Sequence, residues 1–300
     1  MKLIAGTRGS VLALKQVDLV ARALAAVDPS IEVEVRVIET KGDVNLSPIP
    51  LDSIGKGWFT HEIEDALAAG RIDFAVHSLK DMAEEQPQGL SIAAYPERED
   101  ARDALVSNRV GGLAGLPQGA SVGTDSTRRS AQLRALRPDL RVISVRGSVP
   151  KRLEKLRDKA EGYDAVVLAV AGLKRLGREG EISQYFSIDE MMPAPGQGVL
   201  AVQAQDANER VRQVLSCIND AQVETTALLE RSFARAVGAG CKSPVGAYAA
   251  QDGDECVLSG MLSADNPLCI VHGSLRAAPN DRTAGAALAQ ELLIQLGSHA

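Results

Sequence analysis

Between Ser121 and Arg175 the chain carries 13 lysines and arginines against 6 aspartates and glutamates, a balance of +7 inside a 300-residue chain of net charge −6. Nine of those 13 cations are arginines, and they fall beside predicted strands and turns as well as on predicted helices. A guanidinium presents a planar fork of donors that matches a carboxylate or a phosphate. Cations spread along one helix face would only be solvated. Arginines gathered at strand ends point instead to a local anion site in an otherwise acidic protein.

Three further residues could do chemistry. Asp81 follows Lys80 at the end of the apolar run Phe74-Ala75-Val76. It is either a cap for a following short helix or a carboxylate delivered to a ligand edge. Cys241 lies among Gly238, Gly240 and Gly246, with Lys242 and Ser243 after it. It is either a buried small hydrophobe or an exposed, reactive thiol beside a cation. His77 is a lone histidine at a strand end, which reads as structural. Ser78 has no G-x-S-x-G around it, and Gly55-Lys56-Gly57 has no G-x-x-x-x-G-K-[ST], so neither a hydrolase elbow nor a phosphate loop is present.

Alternating elements must position these residues. Lys2 to Thr7 reads as a buried strand, and Ser10 as the cap of a helix to about Ala26 with Leu12, Val17, Leu19, Val20 and Leu24 inward. Ile31, Val33, Val35 and Val37 alternate with charged residues, the period of a half-buried strand. A helix opens at Thr60 and closes at Gly70, and Phe74 to Val76 delivers His77 to Asp81. Beyond Asp103, strands at Ser121–Thr124, Arg141–Val145 and Ala165–Ala171 each end in polar or basic residues. Ser126 is placed to cap the helix bearing Arg128 and Arg129. Asp125, three and four residues before those arginines, is predicted to pair with one of them. Val199 to Gln205 should return to the first sheet. A helix near Ala221–Ala236, strands near Val245, Val257 and Ile270, and a helix with Leu288, Leu292 and Leu296 on one stripe form a small α+β domain. The whole is an α/β fold with mainly parallel sheets, whose ligands bind at the strands' C-terminal edge.

Three hundred residues exceed one comfortable core, so more than one domain is expected. The N-terminus lacks the pattern of a signal peptide, and no run is long and apolar enough to span a bilayer. The four cysteines lie far apart, with no C-x-x-C, which predicts neither a zinc site nor a disulfide framework. A reducing, cytoplasmic compartment, no metal, no nucleic acid and no membrane partner are the expectations.

Taken in order, the motifs resemble the hydroxymethylbilane synthase (porphobilinogen deaminase) family. Gly6-Thr7-Arg8-Gly9-Ser10 looks like its opening motif, and Asp73 to Asp81 like its catalytic strand end. The likeness runs on through Glu97-Arg98-Glu99-Asp100, Val122-Gly123-Thr124, Arg128-Arg129, Val145-Arg146-Gly147, Arg152-Leu153 and Leu168 to Arg175. It ends with Pro195-Gly196-Gln197-Gly198 and Gly240-Cys241.

The resemblance implies three domains, here 1–100 with 196–216, 101–195 and 217–300. The first two would be similar to periplasmic binding protein type II domains, with the ligand cleft between them. It implies a transferase of haem biosynthesis that joins four porphobilinogen molecules with loss of ammonia, as a monomer, on a dipyrromethane cofactor held by Cys241 through a thioether. Asp81 would be catalytic. Arg8, Lys80, Arg128, Arg129, Arg146, Arg152 and Arg175 would hold the acetate and propionate groups, Ser10, Ser78, Thr124 and Ser126 would add contacts, and Phe59 would pack beside the incoming ring. The chain departs from the family pattern at Ala83, Asp125, Ser148 with Pro150, Lys242-Ser243 and around Lys56, where Ser53 replaces a lysine. An impaired relative that only binds polycarboxylates is the alternative.

Overall fold

Alternating apolar runs and amphipathic stretches set up the first sheet. Strand β1 (Lys2–Thr7) leads into helix α1 (Val11–Val27), capped by Ser10, whose Oγ accepts from the Ala13 N–H at 3.2 Å. Strand β2 (Glu32–Val37), helix α2 (His61–Ala68), β3 (Phe74–Ser78) and β4 (Leu90–Ala94) follow. The computed structural model describes residues 1–41, 60–238, 244–265 and 268–298.

The second series begins with β5 (Asp103–Ser107), β6 (Ser121–Gly123), α3 (Thr127–Leu136) and β7 (Arg141–Ile143). It continues with α4 (Val149–Arg157), β8 (Ala165–Ala169), α5 (Val170–Arg175) and β9 (Gln184–Tyr185). After a crossover come β10 (Leu200–Gln205), α6 (Glu209–Ser216) and α7 (Ala221–Val237). The last elements are β11 (Val245–Asp252), β12 (Glu255–Asp265), β13 (Leu268–Ala277) and α8 (Ala284–Ser298).

Three sheets result, as the α/β and α+β readings anticipate, but the first two are mixed and not mainly parallel, because half their strand pairings are antiparallel. Their strand orders are β2-β1-β3-β10-β4, β7-β6-β8-β5-β9 and β11-β12-β13. The first two share one topology. In each, three strands are parallel, β1, β2 and β3 in the first and β6, β7 and β8 in the second, and one antiparallel strand lies between this set and the outer strand, β4 or β9. That inserted strand is β10 in the first sheet and β5 in the second. Two like α/β domains and a small antiparallel third domain are therefore present.

The chain falls into two compact units: Met1–Glu99 with Val199–Thr225, and Asp100–Gly198 with Thr226–Ala300. In the first, Val17, Val20 and Leu24 of α1 pack on Leu3, Ala5, Phe74, Val76 and Val202, while Ile63 and Leu67 of α2 pack with Ala75. In the second, strand alternation sends Leu105 and Val167 to one face, and Ala104, Val106, Val166 and Leu168 to the other. Phe233, Leu258, Leu288 and Leu292 centre the third core.

Two expectations fail locally. Val35 and Val37 are exposed, because β2 is an edge strand and only Val33 joins the first core. Leu19 is 43 % exposed, and Gln16 takes a buried position on α1 in its place.

Two details fix the second unit. Gly196 and Gly198 both have positive φ, which lets Gly196-Gln197-Gly198 turn tightly just before β10. Buried Glu230 of α7 accepts from the Gly196 N–H at 2.6 Å and the Ala249 N–H at 2.9 Å, so one carboxylate ties this turn to the third sheet.

Candidate active site

In the first unit β1 and β3 are parallel neighbours, so their C-terminal ends share one sheet edge. Arg8 and Ser10 follow β1, and Ser78 closes β3. A single 3-10 turn, Leu79–Asp81, comes next and ends where the Met82 N–H donates to Leu79 O at 3.1 Å. Leu79 is fully buried and anchors the turn, Lys80 is half-buried, and Asp81 is exposed. No helix follows Asp81 before β4, so Asp81 does not cap one. Its carboxylate stands at the strand end, next to a lysine.

The groups behind this edge also support it. The Ser78 Oγ accepts from Gln16 Nε2 at 2.8 Å. His77 is buried, which pushes its pKa from 6.5 down to about 4; a bond to Gln203 opposes this and the Arg8 charge adds to it. His77 is thus a neutral core residue at neutral pH.

In the second unit β6 is parallel to both β7 and β8, and the chain leaves each of these three strands at the same edge. Thr124 Oγ1 accepts from the Ser126 N–H at 3.2 Å, and Ser126 Oγ caps α3 by accepting from the Arg129 N–H at 3.3 Å. These hydroxyls keep their own O–H to donate to an anion. Arg146 follows β7, Arg152 lies on α4 and Arg175 ends α5; all three are half-buried. Arg152 Nε donates to Gly147 O at 2.8 Å, and Arg175 Nη2 to Gly198 O at 2.7 Å.

Arg128 and Arg129 turn back into the domain. Asp103, fully buried at the start of β5, lies 2.8 Å from Arg128 Nη2 and 2.6 Å from Arg129 Nη2. Arg128 Nη1 also donates to Met192 O at 2.5 Å, and Arg129 Nη1 to Val167 O at 3.1 Å. Gln197 Nε2 reaches Asp103 Oδ1 at 2.9 Å and Ala101 O at 2.7 Å. Burial alone would raise the Asp103 carboxyl, but the two guanidiniums hold it well below the usual carboxylate range. Burial lowers Arg128 in turn, against the pull of Asp103.

Asp125 does not pair with Arg128 or Arg129. Its Oδ2 lies 3.1 Å from Arg146 Nε, and its Oδ1 accepts from Ser144 Oγ. The i,i+3 and i,i+4 rule fails because Asp125 precedes the cap of α3 and both arginines are already committed to Asp103.

Cys241 and Phe59 lie outside the described residues, as do Ser53, Lys56, Lys242 and Ser243. Of the other departures, Pro150 sits in the first turn of α4, where a missing N–H costs nothing, and Ser148 is the residue before that helix. Sequence reading missed Asp103 and Gln197 as partners of the arginine pair. An acid opening the apolar strand Ala104-Leu105-Val106 was the available signal, since a buried carboxylate demands cations.

Comparison with known proteins gives the family. Residues 3–213 match the family model described as porphobilinogen deaminase, dipyromethane cofactor binding domain, and residues 224–293 match porphobilinogen deaminase, C-terminal domain. The porphobilinogen deaminase of Roseiflexus sp. (strain RS-1) is 48 % identical over 297 residues, covering 98 % of this chain and 97 % of that one. That of Roseiflexus castenholzii is 45 % identical over 289 residues, covering 96 % and 94 %. Among solved structures, the methionine binding protein MetQ aligns over 77 % of this chain and 94 % of its own at 12 % identity, with a TM-score of 0.47. On the family models and relatives covering nearly its whole length, the chain belongs to the porphobilinogen deaminase family.

Proposed function

We propose that this chain joins four porphobilinogen molecules head to tail into hydroxymethylbilane, a step of haem biosynthesis, with Asp81 as the catalytic carboxylate. The observation that carries the assignment is the exposed carboxylate of Asp81, held at the end of β3 by a buried leucine and not used as a helix cap. Each coupling breaks one carbon–nitrogen bond and one carbon–hydrogen bond of the accepting pyrrole, forms one carbon–carbon bond and releases one ammonia; after four couplings water cleaves the bond to the cofactor and supplies the product's hydroxyl. Positive charge develops on the pyrrole as ammonia leaves, and a fixed carboxylate stabilises it.

The acetate and propionate groups of substrate and product are assigned to Arg8, Lys80, Arg146, Arg152 and Arg175; Arg128 and Arg129, also expected to hold them, are buried on Asp103 and would instead support that edge from behind. Ser10, Ser78, Thr124 and Ser126 add hydroxyl contacts, and Phe59 packs beside a ring. The half-buried Arg146, Arg152 and Arg175, which follow the strands of the second sheet, suit a ligand whose side chains are carboxylates, as those of a dipyrromethane are. Cys241 would hold that cofactor through a thioether, and the cofactor supplies the pyrrole terminus to which the first porphobilinogen is added. We assign domain boundaries at 1–100 with 196–216, 101–195 and 217–300.

The same reading makes the protein a cytoplasmic monomer acting on a small molecule, with no nucleic acid and no membrane partner. Four widely spaced cysteines support a reducing compartment, and no helix among the described residues is long and apolar enough to cross a membrane. Light scattering checks the monomer. An impaired relative that only binds polycarboxylates is not favoured, because relatives at 41 % to 48 % identity are named porphobilinogen deaminase.

The test is a steady-state assay of Asp81→Asn. Its kcat should fall roughly a hundredfold or more with little change in KM, and circular dichroism should show a folded protein. Near-normal kcat in a folded, cofactor-loaded variant would return Asp81 to a surface role.

A further inference from the structure

Asp125 stands where a carboxylate-binding edge would be expected to carry no acid. It lies just before Ser126, the cap of α3, and reaches across to the end of β7, where its Oδ2 is 3.1 Å from Arg146 Nε. Ser144 Oγ donates to its other oxygen, and the Ser144 carbonyl is in turn held by Tyr163 OH at 2.7 Å. The acid is therefore fixed from both sides. The Arg146 and Asp125 side chains remain 37 % and 28 % exposed, so solvent and solutes reach the pair.

A carboxylate on Nε occupies one edge of the guanidinium fork. Asp125 also sits ahead of the first turn of α3, where the backbone N–H groups favour a negative charge. It thus presents to Arg146 the chemistry that a ligand carboxylate would present. We propose that Asp125 is an internal counter-ion for Arg146, which an incoming carboxylate must displace or share, and that it sets this chain's affinity for carboxylate-bearing ligands there. The inference rests on the assignment of Arg146 as a carboxylate-holding residue. It adds a residue that tunes specificity, carried by the chain itself.

The experiment uses the full chain as purified, with two readouts. The first is KM for porphobilinogen in the parent and in Asp125→Asn. The second is calorimetric titration with citrate, a plain tricarboxylate, at low salt, on the parent, Asp125→Asn, Arg146→Ala and the double variant. A half-exposed ion pair of this geometry corresponds to a change of about three- to fivefold. Asp125→Asn should tighten citrate by that factor and lower KM in the same direction. In the Arg146→Ala background the same change should leave citrate affinity nearly unaltered. Structural damage does not produce tighter binding, so this gain separates a competing counter-ion from a merely structural residue.

Weaker citrate binding in Asp125→Asn would mean that Asp125 steadies Arg146 for the ligand, and would overturn the proposal. Equal affinities, an equal gain with and without Arg146, or no citrate binding to either chain would overturn it too. If neither chain makes hydroxymethylbilane, the functional reading fails, and the citrate arm alone still decides the role of Asp125.

Discussion

Replacing Asp103 by asparagine keeps the side chain's shape and removes the carboxylate that faces both Arg128 and Arg129. Asp103 is fully buried, and the side chains of the two arginines are 4 % and 7 % exposed, so water cannot take over its role. Gln197, Met192 O and Val167 O still accept or donate hydrogen bonds there, but none carries charge. Removing one partner from a buried ion pair costs about 3–5 kcal/mol. With two guanidiniums stranded, the upper half of that range applies. For a unit of about 170 residues, each kcal/mol moves Tm by about 2–4 °C, so a fall on the order of 10 °C or more is expected. The sign with pH follows from the depressed carboxyl. Its contribution is complete above the unfolded value, near 4, and is lost only as pH falls through the lower folded value. The gap between parent and Asp103→Asn should therefore stay constant from pH 7 down to about 4. Calorimetry and denaturant titration at several pH values measure both quantities. A variant within about 1 kcal/mol of the parent, or a gap that closes well above pH 4, would refute the reasoning.

Other perturbations test other levels of the structure. A Cβ on Gly285 would lie 2.3 Å from the backbone N of Phe233 and 2.0 Å from Ser232 Oγ, so Gly285→Ala should force α8 off α7 and cost about 1–3 kcal/mol or more, read as a lower Tm. His77 is depressed from 6.5 to about 4, so the unfolded chain binds its proton first, and stability should fall as pH drops from about 6.5 to about 4. His77→Asn should flatten that limb in denaturant titrations, and an unchanged slope would contradict a buried neutral histidine. Intact mass should exceed the sequence mass by two linked pyrrole units, and Cys241→Ser should remove the increment; a cofactor on Cys217, Cys256 or Cys269 would contradict the attachment.

What could be read in advance depended on range. Ser10 capping α1, the run to Asp81, the strand Leu200–Gln205 and the Leu288, Leu292 stripe are all signalled by residues a few positions apart. The Asp103 pairing joins positions 25 and 26 residues apart, on a strand and a helix, and no local pattern encodes it. Asp125 shows the same limit from the other side. The helix rule pointed to arginines three and four residues on, while the sheet brought Arg146 from the next strand's end. The exposed Val35 and Val37 followed from β2 being an edge strand, which is a property of strand order and not of alternation.

The shared strand order has a consequence for how the protein is made. β10 sits between β3 and β4, so the first sheet stays split until Leu200–Gln205 has left the ribosome. The second sheet has no such wait, because its inserted strand, β5, is synthesised before β6. At about 5–20 residues per second, the hundred or so residues between Glu99 and Gln205 take roughly 5–20 s. Through that interval the nascent N-terminal segment exposes the open edges of β3 and β4, including the buried Phe74 and Val76. The first sheet is thus completed only after the second, although β1 to β4 are made before it, and its exposed edges mark where a chaperone would be needed during synthesis.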